Sequence, residues 1–502
     1  MRGRILLLLE LTIVIVLVTI TRCANYADVF VAGQINFVDP DCYARMTRAR
    51  ICFAHPGTVV RHHDFENYPI GTSPHTTAPL DYCIVAVAAV LSTLTRNALD
   101  LAGAVISPLI AIALGIFLCF WTRAMRLPFR WGVLLLYLLS PILAHGFALG
   151  RPDHQSLVLA LVAVALCAEW TLAERVSQLW SLVSGLSWGL ALWVSPYEPV
   201  ILLALLLSLR ARHIFAHDRK VGWIAFGAVI ALALLIERRI PLSPDSATIN
   251  ELENWSATIG ELAHVPITST LWFQWCGWLL ILTPILGWAT WRNPTRFMTA
   301  FLFVTFLFTL WQARWGYFFT LFFALCLPEI LRALRNPFLA WAAFAVGLFP
   351  IAQAWDRTFS EDEAIRRVEN RLELIELRTV AHELDGPFIA PWWLSPALTY
   401  WSGEPGVAGS SHESIGGIIE SAKFFAAENT AEAMDICVRR HAKWVVSYDA
   451  GRIAENTARI LKVPISSRAM AYVLDRNASS APSFLQLEAQ TGRCKAFRLQ
   501  AY

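Results

Sequence analysis

Asp81-Tyr-Cys-Ile-Val-Ala-Val-Ala-Ala-Val-Leu-Ser-Thr-Leu-Thr-Arg-Asn97 is the stretch on which the topology turns. Its apolar content would allow it to cross a bilayer, and counting it in or out sets the sidedness of everything that follows. Cytoplasmic loops carry the excess of Lys and Arg. With 81–97 kept outside, as a helix lying on or dipping into the outer face, Arg123, Arg126 and Arg130 fall on the cytoplasmic side. So do Arg210, Arg212, Arg219 and Lys220, then Arg292 and Arg296, and then Arg332 and Arg335. With 81–97 inserted, all of these loops flip outward, so the sequence predicts the first arrangement.

The composition agrees with a membrane protein. Of 502 residues, 56% are hydrophobic and 16% charged, with a mean hydropathy of +0.50, whereas soluble domains carry roughly 25% charge. The formal net charge is only +3, and no basic stripe with interleaved aromatics is present, which excludes a nucleic-acid partner. The 21 Trp suit interfacial belts and sugar stacking alike, with belts accounting for most. Cys119, Cys167, Cys276 and Cys326 sit in apolar runs as small hydrophobes. Cys23, Cys42, Cys52 and Cys83 leave room for a disulfide in or beside the first external loop, and Cys437 and Cys494 for one in the C-terminal segment.

The first apolar run, Ile5 to Ile20, follows Arg2 and Arg4 and has no small-residue cleavage site, so it reads as a retained span. Further spans are expected near 99–122, 130–149, 156–172, 177–195, 197–211, 221–236, 269–290, 297–311, 315–333 and 337–353, about eleven in all. This predicts external loops at 21–98 and 237–268, a membrane domain over 1–354, and a soluble external domain over 355–502. Within that last domain, Glu361 to Glu383 has helical spacing, and Lys443-Trp-Val-Val-Ser-Tyr448 reads as a strand, giving a mixed α/β domain.

Three acidic motifs then fall on the same predicted external face: Asp39-Pro-Asp41-Cys-Tyr43, Asp153-His154-Gln155 and Thr258-Ile-Gly-Glu261. Each Asp has a second reading as a helix N-cap, and spacing alone does not choose between the two. As a set, Asp41, Asp153 and Glu261 offer the hard oxygen ligands that Mg²⁺ and Mn²⁺ prefer, and His154, Gln155 and His75 are further candidate ligands. Arg314, in Gln312-Ala-Arg-Trp-Gly-Tyr317, sits at an external helix end against the positive-inside bias. It either snorkels or stabilises a departing phosphate. Tyr197 and Glu198 occupy another external turn and either line the same cavity or cap a helix.

Asp41-Cys-Tyr-Ala44, Asp153-His154, Thr258-Ile-Gly-Glu261 and Gln312-Ala-Arg314, in this order and sidedness, resemble the catalytic subunit of oligosaccharyltransferase, closest to the bacterial and archaeal single-subunit members. Pro391-Trp392-Trp393 falls where that family has Trp-Trp-Asp, and the stretches Ala431-Glu-Ala-Met434 and Ala442-Lys-Trp-Val-Val446 also resemble its soluble domain. The resemblance covers most of the chain. It implies a GT-C type polytopic α-helical membrane protein of about 11–13 spans with a C-terminal soluble mixed α/β domain. It also implies an Mn²⁺ or Mg²⁺ cofactor and transfer of a glycan from a polyprenyl-(pyro)phosphate donor to the side-chain amide of Asn in Asn-x-Ser/Thr. Asp41 and Glu261 would engage metal and acceptor, Asp153 the metal, Arg314 the donor phosphates, and Trp392 and Trp393 the acceptor. Two positions depart from the family pattern. Gln155 stands where the family has a second Asp or His, and Leu394 stands where its Trp-Trp-Asp motif has the aspartate that binds the sequon hydroxyl.

The expected protein is therefore a transferase of the inner (cytoplasmic) membrane, with its C-terminal domain periplasmic or external. An acceptor in an envelope glycan or lipid is the alternative within enzymes. A lipid-linked-sugar transporter or an inactive scaffold is the alternative outside them. A transporter predicts polar groups at bilayer depth, and here the acids cluster in external loops.

Overall fold

In the computed structural model, which describes residues 2–239, 249–284, 296–476 and 481–500, most of the expected apolar runs form continuous helices. Among the described residues six are long and apolar enough to cross a membrane: Arg4–Arg22, Ala98–Ala124, His154–Glu174, His217–Glu237, Ala313–Ala333 and Pro337–Thr358. The chain is a multi-pass α-helical membrane protein. Gln178–Val194, Tyr197–Ile214 and Arg296–Trp311 are further apolar helices at expected spans.

Proline breaks one expected span in a way that shapes the interior. The run 130–149 divides into Arg130–Leu139 and Pro141–Gly146, because Pro141 has no N–H to return to the carbonyl one turn back. The freed carbonyls are not left bare. Arg22 donates to Tyr137 O and Leu138 O, both at 2.6 Å, and Trp355 Nε1 donates to Leu139 O at 2.7 Å. In lipid, unpaired backbone groups cost several kcal/mol each, so such side-chain donors are what permits the break. The expected span 269–290 departs further from a single helix. Leu271–Cys276 stops at Gly277, whose φ is +74°, a 3₁₀ turn Trp278–Leu282 follows, and 285–290 lie outside the described residues.

The chain divides into two compact units: Met1–Tyr26, Gly103–Arg238 and Glu261–Ala364 in one; Ala27–Ala102, Arg239–Gly260 and Ile365–Tyr502 in the other. In the first, small residues allow close helix approach. A Cβ on Gly185 would run into the Gly222 carbonyl, and one on Gly222 into that of Ser181. Charges at one end of this bundle are paired. Glu169, only 1% exposed, takes Arg219 on its carboxylate and Arg210 on its carbonyl (3.0 Å), and Glu10 pairs with Arg123 (3.3 Å) and Arg130. At the other end, Gly150 N donates to Ala104 O at 2.8 Å. Nineteen residues of helix separate Ala104 from Arg123, about 28 Å of rise, close to the thickness of a hydrocarbon core. The Arg151–Asp153 turn and Arg123 thus lie a membrane's depth apart.

The second unit joins the C-terminal segment to 27–102. Its four-stranded sheet has the order Phe388–Ile389, Trp444–Ser447, Cys494–Leu499, Leu485–Thr491. The first pair is parallel and the others antiparallel. The helix Glu361–Ala381 and the strand Trp444–Ser447 fall where the sequence predicts them. Residues 81–97 contribute to the helix Ala78–Leu91. Its 14 residues give about 21 Å of rise, short of a bilayer core. Asp81 in its first turn is buried against Arg45 (2.8 Å) and Arg48 (3.8 Å) of the helix Pro40–Ala54. The disulfides for which the sequence leaves room are not made: all ten cysteines are free. Cys437 and Cys494 are each fully buried as small hydrophobes, one in the helix Thr430–Arg439 and the other opening a strand.

Candidate functional site

Asp153 starts the helix His154–Glu174 and does cap it. Its carboxylate accepts from Gln155 N (3.4 Å) and its carbonyl from Ser156 Oγ (2.8 Å). The cap does not exhaust the carboxylate. Oδ1 also lies 2.7 Å from His154 Nδ1, and Oδ2 lies 3.5 Å from Arg151 Nη2.

Arg151 is the hub of this region, and nothing in the sequence motifs singled it out. It is 1% exposed. Its Nη2 pairs with Glu261 Oε1 as well as with Asp153. Nη1 donates to the Tyr317 hydroxyl at 3.2 Å and lies 2.7 Å from His145 Nδ1. Tyr317 Oη lies 2.8 Å from His145 Nδ1 and donates to Glu261 Oε1 at 3.4 Å. Gln155 Nε2 closes the ring, donating to Glu261 Oε2 at 3.3 Å. The structure thus brings together Asp153, His154, Gln155 and Glu261 and adds Arg151, His145 and Tyr317. The one sequence signal for Arg151 was an arginine on the predicted external face, the same signal that singled out Arg314. Burial pushes the Glu261 carboxyl upward, but the charge and hydrogen bond of Arg151, with the charge of Arg314, together outweigh this and hold it below its ordinary value.

Arg314 is tied to this network by a backbone bond beside it, Ala313 N donating at 2.9 Å to the carbonyl of Ala263, two residues beyond Glu261. Its Nη2 lies 2.6 Å from Glu198 Oε1, and its guanidinium stands 5.5 Å from the centre of the Tyr197 ring. Glu198 is 2% exposed, in the first turn of the helix Tyr197–Ile214. The pair Tyr197 and Glu198 therefore positions Arg314.

Do these residues suit a divalent ion? Asp153 and Glu261 already converge on one cation, the guanidinium of Arg151. Gln155 Oε1 is buried and has no hydrogen-bond partner among the described residues. Two carboxylates and an unpaired amide oxygen are the hard donors that Mn²⁺ and Mg²⁺ take, so the residues fit, with the Arg151 guanidinium standing between the carboxylates.

The remaining expected site residues belong to the second unit. Asp41 lies in the first turn of the helix Pro40–Ala54, which Asp39 caps through Cys42 N at 2.9 Å. The cap is therefore Asp39, leaving Asp41 outside that role. Trp392 and Trp393 line a pocket with Asn456, Thr457 and Ile418. Trp392 Nε1 donates to Asn456 Oδ1 at 2.8 Å and Arg452 stacks 5.3 Å from Trp393. Leu394 is 5% exposed. His75 adjoins Glu413 and His412.

Two buried titratable groups beside that region oppose each other. Burial pushes the Glu66 carboxyl up to about 7 despite Arg48, and burial, then Arg48, pushes His63 down to about 2. Their side chains approach to 4.0 Å. Between about pH 4.5 and 7 folded Glu66 holds a proton that the unfolded chain has lost, so it makes stability fall as pH rises. Below about pH 6.5 unfolded His63 holds a proton that the folded form lacks, so it makes stability rise with pH. The slopes cancel in the wild type across their shared window. In Glu66→Gln the unfolding free energy, followed through the thermal midpoint, should rise with pH up to about 6.5, by at most about 1.4 kcal/mol per pH unit. A pH profile parallel to the wild type would refute the assignment.

No protein-family profile matches the chain, and no curated protein matches it in sequence. Solved structures do. An oligosaccharyltransferase from Archaeoglobus fulgidus, in complex with an inhibitory peptide and a dolichol-phosphate, superposes with a TM-score of 0.69 at 14% identity, covering 93% of this chain and 72% of that one. An oligosaccharyltransferase of the same archaeon in complex with Zn and sulfate gives 0.64 at 14%, covering 89% and 69%. ArnT from Cupriavidus metallidurans bound to undecaprenyl phosphate gives 0.54 at 12%, covering 98% and 97%. The chain has the GT-C fold of these membrane transferases.

Proposed function

We propose that the chain is a membrane glycosyltransferase that moves a glycan from a polyprenyl-(pyro)phosphate donor to an acceptor at the external face of the inner membrane, with protein asparagine as first acceptor. The observation that carries the reading is the convergence of Asp153 and Glu261 on one buried guanidinium. They lie at one end of a bundle whose fold is shared with proteins whose structures hold a dolichol-phosphate or undecaprenyl phosphate. Residues 355–502 lie outside in this reading.

The roles follow from the chemistry. Arg314, aimed by Glu198 and Tyr197, neutralises charge building on the departing phosphate. An amide nitrogen is a poor nucleophile because its lone pair is delocalised. Glu261, ionised and a third exposed, and Asp41 accept its N–H groups and orient it. A carbon–nitrogen bond forms as the carbon–oxygen bond to phosphate breaks, with inversion; the electron pair leaves on the phosphate, and one amide proton passes to the Glu261 carboxylate. Asp153, Glu261, Gln155 and His154, with Asp41, would hold Mn²⁺ or Mg²⁺, which supplies Lewis-acid polarisation of the donor phosphate. The acceptor chain rests against Trp392 and Trp393, where Ser421, Asn456 and Thr457 are the polar groups at hand.

Leu394 favours a second acceptor class. A buried leucine in place of a carboxylate offers nothing to a sequon hydroxyl, and an unpaired buried hydroxyl costs about 1–3 kcal/mol. A glycan or lipid acceptor has no such requirement.

The test is transfer from a lipid-linked oligosaccharide to an Asn-x-Thr peptide, with Mn²⁺ and with EDTA. Metal-dependent glycopeptide, lost in Asp41→Ala, supports the first reading. Metal-dependent donor consumption without glycopeptide supports the second. Neither product nor donor loss, from folded protein with a competent donor, would sink both.

A further inference from the structure

His75, His412 and Glu413 come together from segments 338 residues apart. One ligand atom from each lies within 4.8 Å of the others, the one such grouping of His, Cys, Asp and Glu among the described residues. His75 Nδ1 lies 2.6 Å from Glu413 Oε1, and the His75 backbone N–H points at the same oxygen. His412 Nδ1 is 3.6 Å from Glu413 Oε2. The two imidazoles face each other with centroids 4.7 Å apart.

Three features distinguish this from a surface ion pair. Glu413 Oε2 is buried and lacks a hydrogen-bond donor among the described residues, so one carboxylate oxygen is available at the centre of the group. The backbone around His75 is gripped from outside: Arg239 donates to Pro74 O and to Thr76 O (3.0 Å), which holds the imidazole in place. Both imidazoles are about one-third exposed, His75 34% and His412 30%, which leaves an entry path and an open coordination position.

We propose that His75, His412 and Glu413 form a binding site for Zn²⁺ or a similar borderline divalent ion, tying the 72–77 segment of the first long loop to the 410–415 segment of the C-terminal region. Two imidazoles and one carboxylate, with a water in the fourth position, are a zinc donor set. The hard ions suited to the Asp153–Glu261 group prefer oxygen throughout, so the two sites should sort metals. Zinc–ligand bonds of about 2.0–2.2 Å require His412 to move inward, which its exposure permits.

The experiment uses the full chain in detergent, stripped with EDTA, loaded with Zn²⁺ or Co²⁺, and desalted. Retained metal is read by elemental analysis, cobalt coordination by visible absorption, and folding by thermal unfolding. The wild type should retain one more equivalent of zinc than either His412→Ala or Glu413→Gln. It should also show the intense visible bands of four-coordinate Co²⁺ and melt at a higher temperature with zinc. Both variants should lose the equivalent and the bands while melting normally without metal. Asp153→Asn should keep both, which separates this site from the proposed transfer site. Equal zinc retention in wild type and both variants, or no four-coordinate cobalt spectrum in the wild type, overturns the proposal.

Discussion

Asp153→Asn should reduce transfer at least about 100-fold while leaving thermal stability within about 1 kcal/mol of the wild type. The magnitude follows from losing a charged group where even outer-shell partners of a metal cost about 10–100-fold. The near-constant stability follows from capping, because Asn accepts the same backbone hydrogen bond at a helix N-terminus as Asp. The substitution therefore separates the two roles that the structure assigns to one carboxylate: the cap through Gln155 N, and the charge facing Arg151 and His154. Arg151 keeps Glu261 as its counterion in the variant, which limits the electrostatic loss. Asp153→Ala removes the cap as well and should cost about 1 kcal/mol more. Donor turnover and thermal unfolding, measured on the same preparations, decide the matter. If Asp153→Asn turns over at the wild-type rate, Asp153 is a cap and nothing more, and the transfer reading loses its central residue.

The contrast between Asp153 and Arg151 also shows what a sequence exposes. Asp153, Glu261 and Arg314 stand out because each is a charge beside an apolar run, and a count of basic loops puts them on one face. Their mutual geometry was not legible, since nothing in local spacing says that Glu261 reaches across to Arg151 or that Tyr317 and His145, both inside apolar runs, turn their polar ends toward it. Helices followed from hydropathy, but their breaks depended on tertiary partners. Pro141 was visible in the sequence, while the break it causes is tolerable only because Arg22 and Trp355 arrive from distant segments to serve the freed carbonyls. The cysteines are a related case. The sequence leaves a Cys437–Cys494 pair open, but the fold buries each thiol in a different element, one in the helix Thr430–Arg439 and one opening a strand, without joining them. His75 was legible as a ligand type. Its partners, His412 and Glu413, were not, because they come from the far end of the chain.

Arg151→Ala should be the most destabilising single change in the site, by about 3–5 kcal/mol, the range for breaking a buried ion pair by deleting one partner. The guanidinium is 1% exposed and serves four groups at once. Without it Asp153 and Glu261 face each other uncompensated, and Tyr317 and His145 lose a shared donor. Most of the cost is repulsion and desolvation left behind, not attraction removed. That distinction is testable, because removing a partner together with its counter-charge is far less damaging than removing it alone. Arg151→Met combined with Glu261→Gln should therefore recover more than half of the stability lost in Arg151→Met, since the single remaining carboxylate, Asp153, still has His154 at 2.7 Å. Thermal unfolding of the wild type, both single variants and the double variant closes the cycle. Losses that simply add would mean that Arg151 and Glu261 act independently, and the guanidinium would then not be what holds the two carboxylates together.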